Sequence, residues 1–134
     1  MDRQLRQVVR ECSEISDRGA ENFAQIVGRL IAAGVERYHA DLLRAEKIYY
    51  WPDGTSEQIA NAPVAGAVAA DFSASAVEAA VRAAQAGRIK YTEFCERVLA
   101  AGCVGYHVHI AGQRVVYYGR SGDSHVEWFP GARA

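Results

Sequence analysis

Leu5, Val8, Val9, Cys12 and Ile15 recur at three- and four-residue steps, the spacing that lines one side of a helix from about Asp2 to Ser16. The stretch "SDRGAEN" interrupts it. Asn22 followed by Gln25 has the form of a capping box, and Phe23, Ile26, Val27, Leu30 and Ile31 make a second amphipathic stripe. Gly34 stands where a helix can end on a left-handed residue. Beyond it the period drops to two: "ERYHADL" and "KIYYW", separated by "LRAE", predict a β-hairpin, and "PDG" supplies the closing turn.

The second half follows the same plan. Ser75 with Glu78 predicts a capping box opening an Ala-rich helix that runs to about Ala86. Phe94, Val98 and Leu99 stripe another helix that ends at Gly102. "GYHVHI" and "RVVYY" predict a second hairpin, and "SHVEWF" a further strand after the "GRSGD" turn. The connection from Ala60 to Ala70 has no period and accommodates a short strand or an irregular loop equally.

Laid over each other at an offset of 68 positions, the halves agree at Arg29/Arg97, Ala32/Ala100, Ala33/Ala101, Gly34/Gly102, Tyr38/Tyr106, His39/His107, Tyr49/Tyr117, Tyr50/Tyr118, Gly54/Gly122 and Ser56/Ser124. The helix–helix–hairpin unit is thus used twice, over about 2–56 and 74–129. Two copies are too few for a solenoid. Two units that each leave a hairpin uncovered are expected to merge their strands into one sheet. The expected fold is one α+β domain, a duplicated unit with a largely antiparallel sheet and helices on one face.

At 134 residues the chain is long enough to bury a core without disulfides or metal. A formal net charge of -1, with Lys47, Arg114 and Arg120 scattered among acids, argues against nucleic acid as a partner. "MDRQLRQVVRECSE" is charged throughout, which is unlike a signal peptide, and "APVAGAVAA" is too short to cross a bilayer. Cys12, Cys95 and Cys103 are odd in number and lack CxxC spacing, so a cytoplasmic protein without a disulfide framework is expected.

Several features together resemble one family: Tyr91 and Phe94 leading a helix that ends in Ala101-Gly102, then Tyr106, Val116-Tyr117-Tyr118-Gly119, Gly122-Asp123 and His125-Val126-Glu127. "GVERYHAD" in the first half fits the same pattern. The chain resembles the DUF1398-like family of short bacterial and prophage-borne proteins of unknown function, some of them labelled "phage envelope protein". The resemblance implies no activity and no catalytic residue. The envelope label has no counterpart in this sequence, which shows no membrane segment, signal or disulfide framework.

Strand alternation places Tyr38, Ala40 and Leu42 on one face of the sheet and His39 and Asp41 on the other; likewise Tyr106, Val108 and Ile110 against His107 and His109. The apolar set should meet the helices. His39, Asp41, His107 and His109 then share the opposite face, with Tyr50 and Tyr118 added if the hairpins are tight. Three arrangements are open for that cluster: a metal site, a pocket for a small ligand, and a half-polar face that is solvated or buried in a homodimer. The last is preferred, and no metal, cofactor or catalytic residue is assigned. His125 and Glu127 share a strand face and read as a surface pair. The expected function is non-enzymatic: self-association, as a homodimer, or partner binding through the uncovered face. The alternative is a small-molecule binder or weak hydrolase using the His/Asp/Tyr cluster.

Overall fold

The structure, a computed structural model, describes residues 3–132; Met1 and Asp2 lie outside that range. Helix α1 (Arg3–Arg18) buries Val9 and Cys12 on the predicted stripe. Helix α2 (Phe23–Ala32) starts on the predicted capping box, with the Gln25 amide donating to Asn22 Oδ1 and the Asn22 amide to Gln25 Oε1, each at 2.9 Å. Helix α3 (Ala74–Gln85) is capped by Ser73 and not by Ser75: Ser73 Oγ accepts from the Ala76 amide at 3.2 Å. The reason is tertiary. The Ser73 amide donates to the Ala101 carbonyl at 2.8 Å, which holds Ser73 extended and leaves Ser75 inside the first turn. Helix α4 (Tyr91–Ala100) and α2 both run out into a glycine at positive φ, Gly102 at +91° and Gly34 at +78°.

The strands are β1 (Arg37–Asp41), β2 (Glu46–Tyr50), β3 (Ser56–Ala60), β4 (Cys103–His109), β5 (Arg114–Gly119) and β6 (Ser124–Trp128). They form one antiparallel sheet in the order β3-β2-β1-β4-β5-β6. The fold is therefore α+β, as expected, but each half carries a three-stranded meander where the first was expected to stop at a hairpin. Strand β3 ends at Ala60, and residues 61–73 run irregularly to α3. Only Ile59 of β3 is buried, so its sequence offers a single apolar signal.

The strand order reads the same from either edge. At its centre β1 pairs with β4 so that His39 stands opposite His107, its own counterpart in the other half. The centre of the sheet thus sets two residues 68 positions apart side by side.

All four helices cover the face that carries Tyr38, Ala40, Tyr49, Tyr106, Val108, Val115 and Tyr117, every one of them buried. The tyrosines pack in equivalent pairs, Tyr38–Tyr49 with ring centroids 5.1 Å apart and Tyr106–Tyr117 at 5.4 Å. Such contacts are worth about 0.5–1.5 kcal/mol each beyond their buried area. Tyr91 and Tyr106 satisfy their hydroxyls on each other at 2.7 Å. At each edge a helix reaches down to the outermost strand through an ion pair. Arg6 and Arg10 of α1 hold Glu57 of β3 at 2.6 and 3.0 Å, and Arg82 of α3 holds Glu127 of β6 at 2.7 Å.

Lys47 breaks the pattern of this layer. It points from β2 into the core at 2% exposure, and among the described residues Nζ has no hydrogen-bond partner. Its compensation is the Tyr91 ring, whose centroid lies 4.5 Å from Nζ. Among the described residues no helix is long and apolar enough to cross a membrane.

Candidate functional site

The face turned away from the helices is built from alternate residues of all six strands, and the pairing registers set them in three straight rows. The middle row reads Gln58, Ile48, His39, His107, Val116, Val126 from β3 to β6. One flanking row reads Ser56, Tyr50, Arg37, His109, Arg114, Trp128. The other reads Ala60, Glu46, Asp41, Gly105, Tyr118, Ser124. Residues 68 apart in sequence fall in opposite flanking rows, yet the chemistry of the rows differs: one carries two arginines, the other two carboxylates.

At the centre the His39 and His107 rings stack with centroids 4.4 Å apart, and His107 also stacks beside His109 at 6.0 Å. Tyr118 Oη lies 2.6 Å from His39 Nε2 although β4 runs between their strands. Gly105 makes this reach possible. A Cβ there would stand 2.5 Å from Tyr118 Oη and 2.7 Å from the Ala40 carbonyl oxygen, too close for either to stay. A β-bulge between Cys103 and Gly105 accompanies the close approach. In the other half the counterpart of Gly105 is Arg37, and its guanidinium carbon sits 3.9 Å from the centroid of Tyr50, the counterpart of Tyr118. One tyrosine crosses to a histidine; the other is held under an arginine.

All six residues singled out in the sequence therefore lie on this face, but they do not form one cluster. His39, His107, His109 and Tyr118 are in ring contact, whereas Tyr50 pairs with Arg37. Asp41 serves its own turn: Oδ1 accepts from the amides of Leu43 at 3.0 Å and Arg44 at 2.9 Å. Glu46, in the same row, is held by Arg44 at 2.5 Å and by the Gln58 amide.

Partial burial lowers the pKa of His39, against a smaller opposite pull from Asp41 and Glu46. Burial also lowers that of His107, helped by His39, His109 and Arg37. Burial raises the Tyr118 phenol. At neutral pH the central stack is accordingly an uncharged plate of two imidazoles and a phenol. Among the described residues no group of three or more His, Cys, Asp or Glu is arranged to hold a metal ion.

The remaining candidates lie elsewhere. His125 and Glu127 do share a strand face, but it is the helix side. Glu127 is 8% exposed and accepts from Arg82 while its other oxygen lies 2.6 Å from His125 Nε2, so the pair is a buried edge clamp and not surface decoration. Cys12, Cys95 and Cys103 are free and buried. Burial pushes the Cys95 and Cys103 thiols up to about 11, which keeps them protonated and poor nucleophiles.

A family model described as "Protein of unknown function (DUF1398)" matches residues 14–126, a span that takes in every residue of the three rows except Trp128. No curated protein matches the chain.

Proposed function

The chain belongs to the DUF1398 family of proteins of unknown function, and from that premise we propose that it is a non-enzymatic binding protein whose uncovered sheet face docks a second copy of itself. The observation that carries this reading is the arrangement of the three rows. A neutral, stacked imidazole row lies between a row bearing Arg37 and Arg114 and a row bearing Asp41 and Glu46. Turned over about an axis along the middle row, a second copy would set its acidic row on the first copy's basic row. The two middle rows would meet. Opposed charges fix register and partner choice more than they add affinity. Arg44 already pairs with Glu46 but is 72% exposed on its side chain, so this contact is weak and readily exchanged.

The face measures roughly 24 by 17 Å from strand spacing and rise. That is on the order of 400 Å² in projection, the scale of a reversible interface rather than an obligate one. Tyr, Trp and Arg, the residue types favoured at interface centres, are all represented on it. A reducing cytoplasm suits three buried free thiols and completes the reading. A hydrolase at the histidines has less support, because Asp41 is committed to its turn and His39 Nε2 to Tyr118.

Sedimentation velocity over a rising concentration series tests the proposal. The wild type should shift from monomer to dimer. Val126→Glu, which puts a charge into the middle row at a position already 40% exposed, should stay monomeric while keeping its circular dichroism. A wild type that remains monomeric at the highest concentrations, or a variant that dimerises equally well, refutes it.

A further inference from the structure

Five residues of the basic row stand directly opposite one another on successive strands: Tyr50, Arg37, His109, Arg114 and Trp128. Each arginine leans outward onto the aromatic ring beyond it. The guanidinium carbon of Arg37 is 3.9 Å from the Tyr50 centroid, and that of Arg114 is 4.9 Å from the Trp128 centroid. Neither closes over His109. A cleft of about 470 Å³ lies at the far edge against α3, but its arginine is already spent on Glu127; the cleft above His109 is about 430 Å³ and its arginines are not so committed.

The His109 cleft is walled by Arg37 and Arg114, floored by His109 and Val116, and closed at one end by Ala111 and Gly112 of the β4–β5 turn. Two strand spacings separate the arginine backbones, roughly 10 Å. That leaves room between the side chains for one carboxylate or phosphate group. Stacking on Tyr50 and Trp128 fixes both guanidiniums before any ligand arrives, which reduces the side-chain entropy lost on binding. Glu36 is the acid at the rim, 3.5 Å from Arg37 Nε and itself 45% exposed on its side chain. Two guanidiniums against one carboxylate leave the cleft net positive.

We infer that this cleft is an oxyanion site, taking the carboxylate or phosphate group of a small organic acid between Arg37 and Arg114 over the His109 ring. The inference stands apart from self-association, although a second copy's carboxylates would compete for the same guanidiniums. The titration is therefore run at a concentration where sedimentation shows monomer, so that the two readings can fail separately.

The probes are phenyl phosphate and benzoate, titrated into the full chain in chloride buffer with amide chemical shifts and heat as readouts. At least one should saturate, with shifts centred on His109 and Gly112, and the stronger of the two identifies the headgroup. Arg114→Met and Arg37→Met keep the apolar stem over the aromatic ring and should each weaken binding roughly ten- to a hundred-fold, the range for one charged hydrogen-bond donor. Arg120→Met, an exposed change outside the row, should bind as wild type. If neither probe saturates, or if both row variants bind as wild type does, the oxyanion site is refuted.

Discussion

Tyr118 Oη and His39 Nε2 lie 2.6 Å apart across an intervening strand, and the contact exists because position 105 has no side chain. Gly105→Ala should break it. The new methyl would collide with both the phenol and the Ala40 carbonyl, so either the tyrosine swings out or the β1–β4 pairing spreads. We expect a loss of about 1–3 kcal/mol, typical of overpacking. Tyr118→Phe removes the hydroxyl alone and should cost about 1 kcal/mol or less at this partly buried position. Urea denaturation of both variants checks the order, and Tyr118→Phe proving the more damaging would contradict the steric account.

The central imidazoles give stability a pH dependence whose sign follows from their lowered pKa values. In the unfolded chain both histidines titrate near the ordinary value of about 6.5. Below that pH the unfolded state takes up protons that the folded state resists, so stability falls from about pH 7 downward and levels off once the folded-state values are passed. Above about pH 7 these two groups contribute no slope. Denaturation midpoints across this range should show the fall, and His39→Asn with His107→Asn should flatten it. An unchanged slope in the double variant would place the titration elsewhere.

Burial lowers the Lys47 pKa, against smaller pulls from Asp17 and Cys95, and the ring of Tyr91 compensates only part of the lost hydration. Lys47→Met keeps the shape of the stem and removes the amine. It should stabilise the fold by about 1–3 kcal/mol at neutral pH, the cost of an unpaired buried polar group. The gain should shrink as pH rises toward the ordinary lysine value of about 10.4, where the unfolded chain also loses its proton. A less stable Lys47→Met protein would show that the amine has a partner worth more than this.

Glu127 joins α3 to the last strand through Arg82 and orients His125 as well. Glu127→Ala should cost about 1–2 kcal/mol, discounted because the Arg82 side chain is half exposed. The loss should appear first as faster hydrogen exchange along β6. Exchange that quickens uniformly over the sheet would mean the edge does not open on its own.

The sequence showed most of the fold because alternation in "RYHAD" and "GYHVHI" separates the helix face from the open face without ambiguity. It failed where a strand carries little apolar weight, as in "SEQIA", whose one buried residue is Ile59. It also failed at Ser75, since the cap is chosen by a hydrogen bond from Ser73 to the distant Ala101. The members of the open face were readable, but their grouping was not. Arg37 and Arg114 look like scattered charges until register brings them to either side of His109. Asp41 looks like a partner for histidine until its turn claims it. Gly105 was the overlooked signal, for a glycine inside a strand marks a place where something passes close to the backbone.

Lys47 and Lys90 are the lysines of this chain, and the first is sealed under Tyr91. An amine-directed reagent therefore meets one lysine side chain on the folded protein, Lys90, at the start of α4 and far from the three rows. Lysine cross-linkers would be blind to a contact made through the open face. Labelling of Lys47 would instead count the molecules that have opened their core.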